Sequence, residues 1–197
     1  MRTNKLSENS MNIQSVTPRR RMQGFTMIEL IVVIVILGIL AAVALPRFTN
    51  IQRDARLAKL NAARGAVQAA AGMIHGVALA RGGVQDAAAC AANAGPAPNR
   101  ADNTSNVCTE SGRIAIVNGY PAANQAGIIN ASGISPTWNP NANQLAADGY
   151  AVIAGNPIRI RVLGGGVAAA DCSFTYTAAP VANTAPTISA VINPNNC

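Results

Sequence analysis

Apolar residues are concentrated in one long run near the N-terminus, and the rest of the chain breaks into shorter apolar segments separated by polar turns. The run, from Phe25 to Leu45, contains only two polar side chains, Thr26 and Glu29. As a helix, roughly 21 residues at 1.5 Å per residue span about 32 Å, enough to cross the core of a bilayer. The run therefore predicts a membrane-spanning helix with a carboxylate one turn from its start.

We expect Pro46 to kink the helix, and Gly38 is a second weak point within it. Beyond Pro46 the helical pattern resumes with a different character. Small or apolar residues recur every three or four positions, which predicts an amphipathic helix running to about Ala80. We expect its docking face to be the stripe formed by Phe48, Ile51, Ala55, Ala58, Ala62, Ala66, Ala69, Met73, Val77 and Ala80. The other faces carry Arg53, Asp54, Arg56, Lys59 and Arg64. Of these, Asp54 and Arg56 are interpreted as solvated charges, open to contacts between subunits.

From Arg81 onward the pattern changes to loops and strands. Residues 81–112 are rich in Gly, Pro and Asn, which is typical of a loop. Later segments bounded by turn residues predict five strands: Arg113 to Val117, Tyr150 to Ala154, Ile158 to Leu163, Cys172 to Thr177 and Thr187 to Ile192. The third strand alternates aliphatic residues with two arginines, so it has one buried face. We therefore predict an α+β fold, with an antiparallel sheet laid on the second half of the long helix.

Positive charge is concentrated before the apolar run. Five of the fifteen basic residues and one of the eight acidic residues precede it, which leaves ten basic and seven acidic residues from Phe25 onward. Basic residues ahead of an apolar span are typical of the positive-inside orientation of membrane proteins. Nucleic-acid binding instead requires a folded basic face with interleaved aromatic residues, so we predict no nucleic-acid partner.

The four cysteines, Cys90, Cys108, Cys172 and Cys197, predict disulfides. None belongs to a C-x-x-C pair and the single histidine, His75, is distant from them in sequence, so we predict no zinc site. An even number of cysteines in an exported chain is typical of a disulfide framework. Of the three possible pairings we favour Cys90–Cys108 with Cys172–Cys197, because both close short loops.

Three interpretations of the N-terminal region compete. A cleavable secretory signal fits the basic residues and the A-x-A pattern at Ala42-Val43-Ala44, but such signals have apolar regions of only about 7 to 15 residues. A plain membrane anchor fits the length, but a carboxylate in hydrocarbon costs about 2.5 kcal/mol or more, and an anchor has no use for Glu29. The third interpretation is a membrane helix in which this glutamate has a function.

A short motif supports the third interpretation. The segment Gly24-Phe25-Thr26-Met27-Ile28-Glu29, after a basic leader and before an unbroken apolar helix, resembles the class III signal of type IV prepilins. The resemblance implies that a prepilin peptidase cuts between Gly24 and Phe25 on the cytoplasmic side. It further implies that Phe25 is then N-methylated and that the apolar segment stays on the mature protein.

The resemblance also implies a role for Glu29 in assembly. In the type IV pilin family this glutamate is thought to pair with the N-terminus of a neighbouring subunit, here the amine of Phe25. Each of two charges buried in an apolar filament carries a desolvation penalty of several kcal/mol, and only close pairing of the charges compensates for it. The pair therefore sets register and recruitment rather than stability. In the alternative interpretation, Glu29 lies at the level of the lipid headgroups or assists the peptidase.

Later segments are similar to pilins of the mannose-sensitive haemagglutinin group. They are Leu45-Pro46-Arg47-Phe48, Asp54-Ala55-Arg56, Asn118-Gly119-Tyr120-Pro121 and Cys172-Ser173-Phe174-Thr175-Tyr176-Thr177. The chain departs from that group in its longer leader and in its four cysteines, where a single pair is expected.

The resemblance implies four regions: a leader at 1–24, a transmembrane polymerisation helix at 25–45, its amphipathic continuation at 46–80 and a β-rich head at 81–197. It implies a single-pass inner-membrane protein that becomes part of an extracellular pilus mediating attachment, aggregation or motility. The implied partners are copies of itself, other pilins, the prepilin peptidase, the assembly platform and the membrane. Two alternatives stay open: a pseudopilin of a type II secretion system, and a tethered or secreted binding domain or enzyme that never polymerises.

No pattern in the chain predicts catalysis. The acidic residues are scattered singly, and Gly164-Gly165-Gly166 follows a strand without the Lys-Ser/Thr of a phosphate-binding loop. His75 is interpreted as a structural residue on the helix, facing solvent or the sheet. Trp138 and three tyrosines are too few for a sugar-binding platform. We therefore predict a non-enzyme with no cofactor and no metal.

Overall fold

The computed structural model describes residues 24–90, 97, 99, 105–164 and 172–197. Most of the predicted leader lies outside the described residues, as do Gly95-Pro96, Pro98 and Gly165-Gly166 of the predicted loops and turn. The chain forms two compact units, one ending at Ala44 and the other running from Leu45 to Cys197.

Helix α1, Met27–Arg81, contains both predicted helical segments and ends one residue beyond the predicted end. The helix assignment is continuous through Gly38 and Pro46, so the proline does not end it. At its C-terminal end Gly82 adopts a left-handed conformation with φ of 56°, and its N–H donates to Leu79 O at 3.1 Å. A glycine in this position is a common helix stop, because it accepts positive φ without a steric penalty.

The described strands form two antiparallel sheets, where the sequence predicted one. The first sheet has the order β1-β2-β3 and the second has the order β4-β5-β6-β7. Their bounds are Ser105–Thr109 (β1), Gly112–Val117 (β2), Tyr120–Pro121 (β3), Tyr150–Ile153 (β4), Ile158–Val162 (β5), Ser173–Thr177 (β6) and Thr187–Ile188 (β7). All five predicted strands are present, although β7 is shorter than predicted. The prediction missed β1, which lies inside the predicted loop 81–112, and β3, which has only two residues.

Short helices fill the connection between the two sheets. They are a π-helix at Gln125–Ile129, α2 at Asn130–Ser132 and α3 at Ala142–Ala147, and a 3₁₀ turn at Pro194–Asn196 lies near the end of the chain. Helix α3 begins with a capping box, in which Asn141 Oδ1 accepts from Gln144 N at 2.9 Å and Gln144 Oε1 accepts from Asn141 N at 2.8 Å. This reciprocal pair satisfies two of the backbone donors that a helix start leaves open.

One face of α1 contributes to the cores of both sheets. Leu60 and Val67 are fully buried and pack with Ile158, Ile160 and Tyr176 of the second sheet. Further along the helix, the buried side chains of Ile74 and Ala78 pack with Val107, Ile114 and Ile116 of the first sheet. The predicted arrangement of sheet on helix is therefore confirmed.

The predicted docking face of α1, however, is wrong. Of the predicted stripe, Ala55, Ala58, Ala62, Ala69 and Met73 are exposed, whereas Leu60, Ala63, Val67, Ala70, Ala71, Ile74 and Ala78 are buried. The helix is so rich in alanine that both faces show spacings of three and four. The discriminating signal was the spacing of the larger aliphatic residues, since Leu60, Val67 and Ile74 recur every seven residues on one side of the helix.

Candidate assembly segment and head contacts

The helical segment Met27–Leu45, all but its last residue in the first unit, is by length and composition able to cross a membrane. None of this segment is buried against other described residues, and its aliphatic side chains are exposed on every side. Phe25, just before it, is 88% exposed. A helix that is hydrophobic all round needs an apolar surrounding, which is either lipid or other apolar helices.

The start of this segment has a specific hydrogen bond. Thr26 Oγ1 accepts from the backbone N–H of Glu29 at 3.3 Å, as an N-cap residue does for the third residue of a helix. The pattern Thr-x-x-Glu at Thr26 and Glu29 is the sequence signal for such a cap. An acidic side chain in the first turn also interacts favourably with the helix dipole. Glu29 thus has a local structural role in addition to any role in assembly.

Gly24, Phe25 and Glu29, the predicted processing and assembly residues, lie together at this helix start. Gly24 and Phe25 precede the helix in non-helical backbone, and all three are exposed. Glu29 is the only ionisable side chain between Phe25 and Leu45. Its exposed carboxylate is therefore available to a cation that approaches the helix from outside.

In the second unit, the side of α1 that faces away from its core carries exposed apolar residues. Phe48 is 61% exposed, Ile51 is 62% exposed and Met73 is 64% exposed. We call the exposed members of the predicted stripe the outer stripe: Phe48, Ile51, Ala55, Ala58, Ala62, Ala69, Met73 and Ala80. Ala62 lies two residues from the buried Leu60, which is about 200° around the helix. The small side chains of the stripe allow another helix to approach closely.

Three cations of α1 bind backbone carbonyls of the head. Arg56 Nη1 donates to Cys197 O at 2.9 Å, Lys59 Nζ donates to Asp148 O at 2.5 Å and Arg64 Nε donates to Ser189 O at 2.7 Å. Lys59 Nζ also lies 4.4 Å from the centroid of the Tyr150 ring, a cation–π distance. Arg56 is therefore more than the solvated charge that the sequence predicted. Asp54 does remain exposed, where it pairs with the neighbouring Arg53 at 2.9 Å.

The structure joins Cys90 to Cys108 and Cys172 to Cys197, the pairing that short-loop closure favours. Cys172 and Cys197 are buried in the core of the second sheet, whereas Cys108 is only half-buried at strand β1. The second bridge therefore packs as part of the core, and the first ties the segment after α1 to a sheet edge.

A polar network holds the same segment after α1. Arg81 Nη1 donates to Asp86 Oδ2 at 3.3 Å and to Asn99 Oδ1 at 3.0 Å, and the Asn99 amide donates to Asp86 Oδ1 at 2.8 Å. Asn99 is fully buried, so these bonds compensate for its lost hydration. Asp86 also lies close to the Cys90–Cys108 bridge. The carboxylate and the two sulfur atoms, which are atom types that bind metals, lie within 4.8 Å of one another. Both sulfurs are consumed in the disulfide and the carboxylate is paired, so this group is not a built cation site.

His75 is a half-buried contact residue between α1 and strand β3. Its ring stacks on Tyr120, with centroids 3.9 Å apart and planes inclined by 5°. Its Nδ1 lies 3.1 Å from Gly119 O, a distance that suits an Nδ1–H donor. This arrangement agrees with the structural interpretation of His75 and brings no carboxylate or nucleophile to it among the described residues.

Comparison with known proteins addresses the N-terminal region. Residues 19–45 match the family described as "Prokaryotic N-terminal methylation motif". The chain is also 50% identical over 50 residues to the "Type IV narrow pilus major component PilA5" of Thermus thermophilus. That similarity covers 25% of this chain and 43% of the relative, so this chain spans under half the length of the relative that it matches. No solved structure shows significant similarity to the chain.

The motif match covers the segment that carries Gly24, Phe25 and Glu29. The motif match ends at residue 45, ahead of Asn118–Pro121 and Cys172–Thr177, on which the resemblance to the mannose-sensitive haemagglutinin group depends. The structure adds a long N-terminal apolar helix followed by antiparallel sheets, the α+β layout of a pilin. By the methylation motif and the pilin relative, the chain is similar to type IV pilins, and its layout of a long apolar helix followed by antiparallel sheets resembles theirs.

Proposed function

We propose that the protein is a structural subunit of a type IV pilus and that it polymerises through helix α1. The observation that carries the proposal is the exposed apolar surface of α1. The segment Met27–Leu45 is exposed all round, and in the second unit the outer stripe exposes apolar side chains along the amphipathic half of the helix. Such a surface is stable in lipid before assembly and among sister helices after it.

The proposal assigns the N-terminal residues to processing and assembly. A prepilin peptidase cuts between Gly24 and Phe25, Phe25 is N-methylated, and the amine then pairs with Glu29 of a neighbouring subunit. The proposed regions are a leader at 1–24, a membrane and polymerisation helix at 25–45, its continuation at 46–80 and a head at 81–197. Before assembly the subunit sits in the inner membrane, where it meets the peptidase, the assembly platform and other pilins.

The proposed role is non-enzymatic. We further propose membership of the mannose-sensitive haemagglutinin group, with a filament that mediates attachment, aggregation or motility. The motifs Asn118–Pro121 and Cys172–Thr177 support this finer assignment. In the head, the three cations of α1 hold the backbone at Asp148, Ser189 and Cys197 against the helix, and the two disulfides crosslink the head itself, so that both resist a pull on the filament.

The N-terminus of the protein purified from membranes tests the processing step. Mass spectrometry is expected to find N-methylated Phe25 as the first residue, and a Gly24→Ala variant is expected to retain its leader. A mature chain that begins at Leu45 would instead establish conventional secretion after the A-x-A pattern and would overturn the proposal.

A further inference from the structure

Strand β4 leaves one edge of the second sheet open among the described residues. Its sheet has the order β4-β5-β6-β7, so β4 is paired with β5 alone. The hydrogen bond from Leu163 N to Gly149 O, 3.0 Å, fixes which residues of β4 exchange bonds with β5. Because bonded and non-bonded pairs alternate along an antiparallel ladder, Tyr150 and Val152 direct their backbone N–H and C=O groups away from β5.

At two of the other outer edges, contacts from other segments reach the strand or the residue that follows it. At β1, the backbone N–H of Asn99 donates to Asn106 O at 3.0 Å, and the bridge from Cys90 reaches Cys108. Just beyond β7, Arg64 binds Ser189 O. An open edge usually carries a charge or a proline that prevents pairing with another chain, but β4 reads Tyr-Ala-Val-Ile and has neither.

A groove runs beside this edge. It has a volume of about 410 Å³ and lies between β4 and helix α3, where Ala142, Leu145 and Ala146 form its far wall. Its size falls within the roughly 300 to 1,000 Å³ typical of ligand clefts. None of its described lining residues is charged. The wall is therefore suited to apolar side chains, and its alanines leave room for them.

Two arginines stand on the opposite face of the sheet from the core, one strand in from the open edge. In the register of β4 and β5, Arg159 lies opposite Ile153 and Arg161 lies opposite Ala151. A strand added at the edge of β4 would lie about 10 Å from β5, two strand spacings away. A long acidic side chain on its outward face is then within reach of Arg159 over the neighbouring strand.

We propose that the edge of β4 and the groove beside it bind an extended segment of a partner polypeptide in which apolar and acidic residues alternate. The backbone of the segment pairs with the open groups of Tyr150 and Val152. Its apolar side chains enter the groove towards Ala146, and its acidic side chains lie on the outer face towards Arg159. Strand addition of this kind takes its affinity from main-chain hydrogen bonds and its specificity from alternate side chains. It does not depend on how the protein polymerises.

The test uses full-length protein in detergent micelles and a fluorescein-labelled hexapeptide of alternating valine and glutamate, followed by fluorescence anisotropy. Saturable binding beyond that of empty micelles is expected. Ala146→Trp fills the groove from an exposed helix position and is expected to weaken binding at least about tenfold. Ala147→Trp, one residue along the same exposed helix and outside the groove lining, is the matched control and should leave binding unchanged.

Charge tests the orientation of the segment. Arg159→Glu is expected to weaken binding of the valine–glutamate peptide and to strengthen binding of a valine–lysine peptide. Arg53→Glu on α1 should leave the binding of both peptides unchanged. The proposed site would be overturned if the unmodified protein showed no saturable binding. It would also be overturned if Ala146→Trp and Ala147→Trp lost peptide binding equally while their circular dichroism stayed unchanged. An unchanged peptide preference in Arg159→Glu would overturn the placement of the acidic side chains.

Discussion

The phenol of Tyr176 donates a hydrogen bond to the backbone oxygen of Pro121 at 2.6 Å, which joins strand β6 of the second sheet to strand β3 of the first. Tyr176 is fully buried, so this bond links the two sheets through the interior of the head. It couples the two sheets directly, in addition to the face of α1 on which both of them pack.

The first prediction concerns the strength of this link. Tyr176→Phe leaves the Pro121 carbonyl without its buried donor while keeping the ring in place. We expect the free energy of unfolding to fall by about 1 to 3 kcal/mol, the usual cost of an unsatisfied buried polar group. Urea unfolding of the full-length protein in micelles, followed by the fluorescence of Trp138, measures it. Tyr120→Phe, in a half-buried ring, is the control and should cost less.

The same residue predicts an alkaline dependence of stability. Burial raises the pKa of Tyr176 well above its ordinary value of 10.0, and the nearby Tyr120 adds to the shift. Above pH 10 the unfolded state loses the phenolic proton while the folded state keeps it, so stability falls with rising pH. The expected slope is about 1.4 kcal/mol per pH unit. Between pH 9 and pH 11, the free energy of unfolding should decrease less in Tyr176→Phe than in the unmodified protein. Equal decreases in the two proteins would contradict the prediction.

Removal of the cations on α1 should loosen the head from the helix. Arg64→Met keeps the apolar part of the side chain but loses the bond to Ser189 O, and we expect a loss of about 1 kcal/mol. Arg53→Met is the matched control, because Arg53 pairs only with exposed Asp54 in the described structure and such pairs contribute little. If both substitutions cost the same in chemical unfolding, the carbonyl contact has no particular importance.

The two disulfides should contribute similarly through chain entropy but differently through packing. Their sequence separations are 18 and 25 residues, so each is expected to stabilise the head by about 3 kcal/mol. Replacing Cys172 and Cys197 with alanine also removes buried volume from the core, so this double variant should lose more stability than the one lacking Cys90 and Cys108. Thermal unfolding of both variants makes the comparison. A larger loss from the Cys90–Cys108 pair would show that burial is not the deciding difference.

Two substitutions on α1 test the proposed assembly. Glu29→Ala is expected to be processed and membrane-bound but to form few filaments, whereas Glu110→Ala, an exposed acid of the head, should assemble normally. Ala62→Glu places a charge in the outer stripe and is expected to abolish filaments without unfolding the head, since Ala62 is exposed. Asn61→Glu, also exposed but off the stripe, is its control.

Electron microscopy of restored deletion strains gives the filament yield for all four variants. Normal yield from Glu29→Ala would remove the assembly role and leave this side chain its contribution to the helix start. Normal yield from Ala62→Glu would show that the outer stripe is not a contact surface in the filament.

Local patterns along the chain determined much of this protein. An apolar run of this length predicts a membrane helix because nearly all of its side chains favour the same apolar environment. The alternation of Ile158, Ile160 and Val162 with two arginines predicts a strand with one buried face. Both signals repeat at the period of a single element. The motif around Gly24 and Glu29 is equally local, and the N-terminal methylation motif matches that segment.

The small residues did not identify the buried face of α1, because an alanine-rich helix repeats them at the same spacing on both sides, and the tertiary structure was needed to show which larger residues mark that face. The larger Leu60, Val67 and Ile74 select the face by filling volume in a core whose shape is set by distant strands. For the same reason the contact of Arg56 with Cys197 and the open edge of β4 were not predictable. Each depends on which segments meet after folding, and residue spacing along the chain carries no direct record of that.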